Sequence, residues 1–181
     1  GIQSVVIVPI FLHHWWWGYL ELDECNEKRA WTLTEVGALK AAASLIGSAY
    51  DHAQVLKALQ ESEERYRSMF ENATIGVFRT TTSGRFLNVN PTLATILGYD
   101  SPQDLISSVT DIAGQLYVDP EFRHVVLDML RQQHGILRNV QNRYYRRDGS
   151  QIITNLNLWT VRDEQGNVRY LEGFIEDITY R

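Results

Sequence analysis

The spacing of apolar positions changes period several times along the chain. Residues 4 to 23 run in strand fashion as SVVIVPIFL and WWWGYLELD, joined at His13-His14. In the second stretch Trp16, Gly18, Leu20 and Leu22 fall on one side and Trp17, Tyr19, Glu21 and Asp23 on the other, an apolar face backed by a mixed one. The β-branched run Val5-Val6-Ile7-Val8 reads as a buried strand. Thr32-Leu33-Thr34-Glu35 then forms a capping box, in which each side chain satisfies a free backbone donor at a helix start. The helix it opens runs through LTEVGALKAAASLIGSAYDHAQVLKALQ. With no proline between Pro9 and Pro91, nothing compels it to stop before Asn72.

Along that helix Leu39, Ile46 and Ala53 repeat at seven, and Ala42, Ala49 and Leu56 form a second row three residues on. Up to residue 50 these side chains read as a cover for the preceding hairpin. Beyond Asp51 the sheet has ended, so Val55, Leu56, Leu59 and Tyr66 need another partner. A parallel helix from a second copy is the natural one, and a homodimer through this helix is expected.

From residue 61 the pattern is a charged helix with Glu61/Arg65 and Glu63/Arg67 at i,i+4 and an apolar edge of Tyr66, Met69 and Phe70. A break at Asn72-Ala73-Thr74 leads into strand-type residues from Ile75 to Thr81. Thr82-Ser83-Gly84 turns the chain into Arg85 to Val89. Asn90-Pro91 and Ser101-Pro102 each read as a cap followed by proline at the first helical position, and Leu93, Ile96 and Leu97 share a face. Ser107 to Asp119 reads as polar and irregular. Asp119-Pro120-Glu121 opens a longer helix with Phe122, Val125, Val126 and Met129 as its buried stripe. Three strands follow, Ile136 to Arg146, Gln151 to Arg162 and Val168 to Thr179, turned at Asp148-Gly149 and Gln165-Gly166-Asn167.

This order, with ATIGVFRTTTSGRFLNVNPTLATILGY followed much later by RRDGS, RDEQGN and GFIEDIT, resembles a PAS sensory domain. The resemblance implies an α+β PAS fold: a five-stranded antiparallel sheet with helices on one face, here preceded by a β-hairpin and a long helix. The opening residues have a resemblance of their own. VPIF, WWGYLELDE and ALKAAASLIGSA are similar to the last hairpin and closing helix of a GAF domain, whose ligand pocket is built by earlier strands. The implied organisation is a C-terminal GAF fragment at 1–52, a helical signalling linker at 53–68 and a PAS domain at 69–181. The chain is expected to be a fragment of a longer bacterial-type sensor with a histidine kinase or diguanylate cyclase downstream. Asp177, Ile178 and Thr179 match the family's terminal D-I-T motif, after which an output helix begins; Asp and Thr suit that place because both can bond free N–H groups.

Composition narrows the chemistry. At 44% hydrophobic and 22% charged the chain is globular rather than disordered, and its formal net charge of −5 offers no general attraction to nucleic acid or anionic lipid. The basic-aromatic cluster Arg143-Tyr144-Tyr145-Arg146-Arg147 reads as a strand end with solvated arginines. Ile2 to Leu12 is about half a bilayer span, so no membrane segment is expected. One cysteine excludes an internal disulfide and a Cys-rich zinc site and suits a reducing cytoplasm. No nucleotide-binding or metalloprotease motif occurs, and no catalytic site is expected. Flavin-cysteinyl photochemistry needs a cysteine near residues 91 to 99, and Cys25 lies elsewhere. His124 and His134 stand where haem-binding relatives place an iron ligand; a lone histidine on such a helix is generally a solvated or capping residue, and haem is not expected.

A small-molecule pocket remains. In the strand from Gln151, Ile152, Leu156 and Leu158 share one face, while Ile153, Asn155, Asn157, Trp159 and Val161 share the other. Whichever face meets the helices can enclose a cavity, with Asn155, Asn157 or Trp159 as candidate lining. Equally, one face is core and the other a helix-docking or dimer surface.

Overall fold

A computed structural model describes residues 1–180. The chain divides into two compact units, one ending at Arg65 and one starting at Tyr66. In the first, β1 (Ser4–Leu12) and β2 (Trp15–Glu24) form an antiparallel hairpin. Its two-residue loop holds His13 at φ 46° and His14 at φ 71°. Two left-handed residues in such a loop match the right-handed twist of the strands they join.

Helix α1 (Leu33–Glu71) runs for 39 residues without a break. The capping box forms as read. The Glu35 amide donates to Thr32 Oγ1 at 3.3 Å, and the Thr32 amide donates to Glu35 Oε2 at 2.8 Å. Val8, Ile10, Ala43 and Gly47 are the buried residues of this unit, with Val6, Leu20 and Leu39 packed around them. The strand β1 is therefore buried on one face only, and Val5 and Ile7 stay exposed. The helix meets the hairpin through Leu39, Ala43 and Gly47, a spacing of four, while Ile46 and Ala49 of the heptad rows lie exposed. Gly47 is required there: a Cβ would stand 2.7 Å from the Phe11 carbonyl oxygen.

The second unit is built on a five-stranded antiparallel sheet. Its strands are β3 (Gly76–Thr80), β4 (Phe86–Val89), β5 (Ile136–Tyr145), β6 (Gln151–Arg162) and β7 (Val168–Asp177), in the order β4-β3-β7-β6-β5. Four helices lie in sequence between β4 and β5: α2 (Pro91–Leu97), α3 (Pro102–Ser108), α4 (Ile112–Leu116) and α5 (Phe122–Gln132). Asn90 and Ser101 cap α2 and α3, each followed by proline. Leu93, Leu97, Leu105, Val126 and Leu130 from the helices join Ile152, Leu156, Leu158, Leu171 and Ile175 from the sheet in one core.

Two readings of the helical region are corrected. The segment read as irregular contains α4, whose start is capped by the Asp111 carboxylate accepting from the Ala113 amide at 3.1 Å. It also supplies Val109, Ile112 and Leu116 to the core. In α5 the fully buried stripe is Arg123, Val126 and Leu130, and Val125 is exposed. The helix is rotated by about one position from the face its apolar residues suggest, which turns an arginine inward.

Candidate functional site

The core encloses a cavity of about 30 Å³ between β3, β6, β7 and the helices. Its walls are mostly aliphatic, with Thr80, Tyr117, Arg123 and Tyr144 as the polar members. By size it has room for about two water molecules. Tyr117 and Tyr144 meet edge to face at 4.8 Å between ring centroids. Burial, and next the neighbouring Tyr117, push the Tyr144 phenol well above its ordinary range, so it remains protonated.

Asn155, Asn157 and Trp159 do not line this cavity, because the helices cover the Ile152/Leu156/Leu158 face. Each of the three has a local role instead. A register shift in β5 between Leu137 and Val140 places Asn139 at φ 56°. Asn157 Oδ1 accepts from the Asn139 amide and Asn155 Nδ2 donates to Asn139 Oδ1, both at 3.2 Å, so the two asparagines pin this bulge. Trp159 Nε1 donates to Glu172 Oε2 at 3.1 Å. It also borders two shallow grooves on the outer face, one of about 270 Å³ with Tyr66, Phe70 and Arg79, one of about 570 Å³ with Ile136 and Phe174.

At the entry to this unit, Asn90 does far more than cap a helix. It is fully buried, and its Oδ1 accepts from the Leu93 and Val77 amides at 3.0 and 2.9 Å. Its Nδ2 donates to the Phe70 and Ile75 carbonyls at 3.1 and 2.9 Å. Both donors and the acceptor are thus used, and one side chain joins the last turn of α1, the start of β3 and the start of α2. Thr92 adds a hydroxyl bond to the Ala73 carbonyl at 2.6 Å.

At the same end of the sheet, where Gly76 of β3 pairs with Ile175 of β7, Asp177, Ile178 and Thr179 are brought together. Asp177 Oδ1 accepts from the Thr179 amide at 2.9 Å and from its hydroxyl, while the Ile153 amide donates to Thr179 Oγ1 at 3.1 Å. The Ile178 amide donates to the Ile153 carbonyl at 2.8 Å. Asp177 Oδ2 pairs with Arg146 Nη2 at 2.9 Å, and Arg146 Nε donates to the Ile96 carbonyl of α2 at 3.0 Å. Partial burial works against the Asp177 charge, but the Thr179 bonds and the Arg146 guanidinium outweigh it and hold the carboxyl below its ordinary range. Arg147 pairs with Asp100 and Asp104 at 3.1 and 2.6 Å. The reading of a strand end with solvated arginines is therefore corrected for Arg146, which is drawn into part-buried contacts, while Arg147 stays exposed as read.

A profile of the PAS domain family matches residues 72–180, well over half of the sequence. The chain belongs to the PAS domain family. A 69-residue part of it, 36% of the chain, is 38% identical to 8% of the methanogenesis regulatory histidine kinase FilI of Methanothrix harundinacea. A 125-residue part, 67% of the chain, is 29% identical to 12% of the sensor histidine kinase TmoS of Ectopseudomonas mendocina. The chain thus spans only a small share of either kinase. Among solved structures, a domain of a sensory box sensor histidine kinase/response regulator from Geobacter sulfurreducens superposes with a TM-score of 0.51 at 26% identity. That alignment covers 66% of this chain and 96% of the other.

Within the PAS domain, His124 and His134 are both exposed and neither borders the cavity. Cys25 is exposed in the first unit. No helix among the described residues is long and apolar enough to cross a membrane. Sequence reasoning missed Arg123 and Tyr144 as cavity residues and Arg146 as a link between α2 and Asp177. The partners of Arg146 lie 50 and 31 residues away in sequence, beyond any local pattern.

Proposed function

We propose that this chain is the sensory and relay part of a multi-domain signal-transduction protein of the sensor histidine kinase or diguanylate cyclase kind. The first unit is the closing hairpin and helix of a GAF domain, α1 is the signalling helix, and the PAS domain senses a small molecule or passes on a signal received through α1. The observation that carries this reading is the fastening at Asn90, which ties the last helical turn to both β3 and α2. Displacement of the helix end is then felt by the sheet, and the Asp177–Arg146 contact, beside it at the same end of the sheet, is where the change leaves toward an effector.

The chain works as a homodimer in this account. Val55, Leu59, Tyr66 and Met69 are exposed on α1 at spacings of four, seven and three, which puts them on one stripe suited to a parallel partner helix. This stripe replaces the Leu39 and Ala42 rows, since Leu39 is packed on the hairpin and Ile46 and Ala49 do not continue a buried seam. Signalling is a population shift between two arrangements of the paired helices, and its energy is limited to the differential affinity of the input for the two.

A second reading is a PAS domain that only holds a dimer together. The small size of the cavity favours it. A chimera with this chain ahead of a histidine kinase core separates the two. If the relay reading holds, Asn90→Ala changes autophosphorylation without dissociating the dimer. Unchanged kinase activity in a folded, dimeric Asn90→Ala chimera contradicts it.

A further inference from the structure

Arg123 is the single charged side chain among the described residues lining the PAS cavity. It keeps only 8% of its surface exposed, and its Nη2 is buried with no hydrogen-bond partner. No ion pair among the described residues includes it. A buried guanidinium without a counter-charge is costly, and proteins ordinarily pair it. The fold nevertheless makes room for it. The guanidinium lies over Gly84, where a Cβ would come 3.3 Å from Nε and 3.4 Å from Nη2.

The surroundings share one chemical bias. Thr80, Tyr117 and Tyr144 bring hydroxyl groups to the cavity, and Tyr144 is kept protonated by burial. The cavity lining contains no carboxylate, and the rest of it is apolar, including Leu93, Leu97 and Ile175. The lining thus carries one positive charge with no carboxylate to balance it, between mostly apolar walls.

We propose that this cavity binds a small monocarboxylate, of formate to acetate size, through the Arg123 guanidinium. The planar guanidinium fork matches a carboxylate with two parallel bonds, and the protonated hydroxyls complete the donor set. The aliphatic walls suit a short alkyl group and disfavour multiply charged anions, which would lose more hydration than one arginine returns. The cavity of about 30 Å³ sets the upper size, so longer acids require the walls to move. This inference rests on the reading of the PAS domain as a sensory module and names its ligand class.

The test is isothermal titration of the purified chain with sodium acetate and sodium formate, with sodium chloride at equal ionic strength as control. The expected result is saturable binding of one acetate per chain, with a rise in melting temperature that chloride does not produce. Arg123→Met is expected to weaken acetate binding by about tenfold or more. If Arg123→Met fails to fold, Arg123→Lys keeps the charge but loses the fork, and a similar weakening is expected. No acetate binding by the wild-type chain, or unchanged affinity in a folded variant, overturns the inference. A dimeric chain blind to acetate removes only the carboxylate ligand. A monomeric chain that binds acetate removes only the paired-helix relay.

Discussion

The two units of this chain use the same ingredients, an antiparallel sheet and helices, with very different yields of buried surface. In the first, two strands and one helix bury only Val8, Ile10, Ala43 and Gly47, and Trp15, Trp16 and Trp17 remain 80%, 67% and 50% exposed. In the PAS domain five strands and four short helices enclose a continuous core in which Leu93, Leu105, Ile152 and Leu156 are almost wholly removed from water. Secondary structure is equally regular in both. What differs is the number of layers available to cover each apolar face, and burial rather than hydrogen bonding separates a firm unit from a marginal one.

That contrast can be broken most directly from the inside. Leu156→Ala is expected to cost the PAS domain about 3 kcal/mol, whereas Val8→Ala costs the first unit about 1 kcal/mol. Differential scanning calorimetry should show two transitions, with Leu156→Ala lowering the hotter one and Val8→Ala the cooler one. A single transition moved equally by both changes would mean that the units do not differ in this way.

Polar fastening comes next in size. Asn90→Ala removes four hydrogen bonds and leaves the part-buried backbone groups of Phe70, Ile75 and Val77 and the buried Leu93 amide without this partner, an expected loss of about 2 to 3 kcal/mol by denaturant unfolding. In the first unit the corresponding weak point is steric. Gly47→Ala gains helix propensity of about 1 kcal/mol but drives a methyl group against the Phe11 carbonyl. It is expected to be destabilising by about 1 kcal/mol net, with faster amide exchange in β1 and no change in the PAS domain.

Acid sharpens the comparison with the smallest effect. Glu35 is held at about 2, first by its bond from Arg29 and then by the Thr32 amide and hydroxyl, against an ordinary 4.5. Asp177 is held below its ordinary 3.8. Both carboxyls are lower in the folded chain, so each contributes fully above its ordinary value and loses its contribution as pH falls through the lowered one. The capping box should therefore loosen as pH falls from 4.5 towards about 2. Carbon-13 titration of the side-chain carboxyls checks both, and ordinary values at either residue would contradict its hydrogen-bond set.

How much of this was legible in the sequence depended on how far each partner lies along the chain. The Thr32–Glu35 box and the Asn90 and Ser101 caps were readable because their bonds close within three residues. The β5–β6 and β6–β7 turns were readable from Asp148-Gly149 and Gly166-Asn167. The covered face of β6 was not, because the residues flanking Leu156 offer Ile153, Trp159 and Val161 as a plausible second apolar face. Nor was the inward turn of Arg123, since Val125 beside it promises a better stripe; the space over Gly84 that admits the guanidinium lies in another element. The helix α4 was too short to show a period, and only its Asp111 cap marks it.

The paired-helix relay is the central claim, and the molecular mass in solution tests it most directly. Multi-angle light scattering is expected to give twice the chain mass of 20.9 kDa for the wild type and the single-chain mass for Leu59→Glu, which puts a charge in the exposed stripe of α1. A wild-type monomer, or a Leu59→Glu dimer as stable as the wild type, would contradict it.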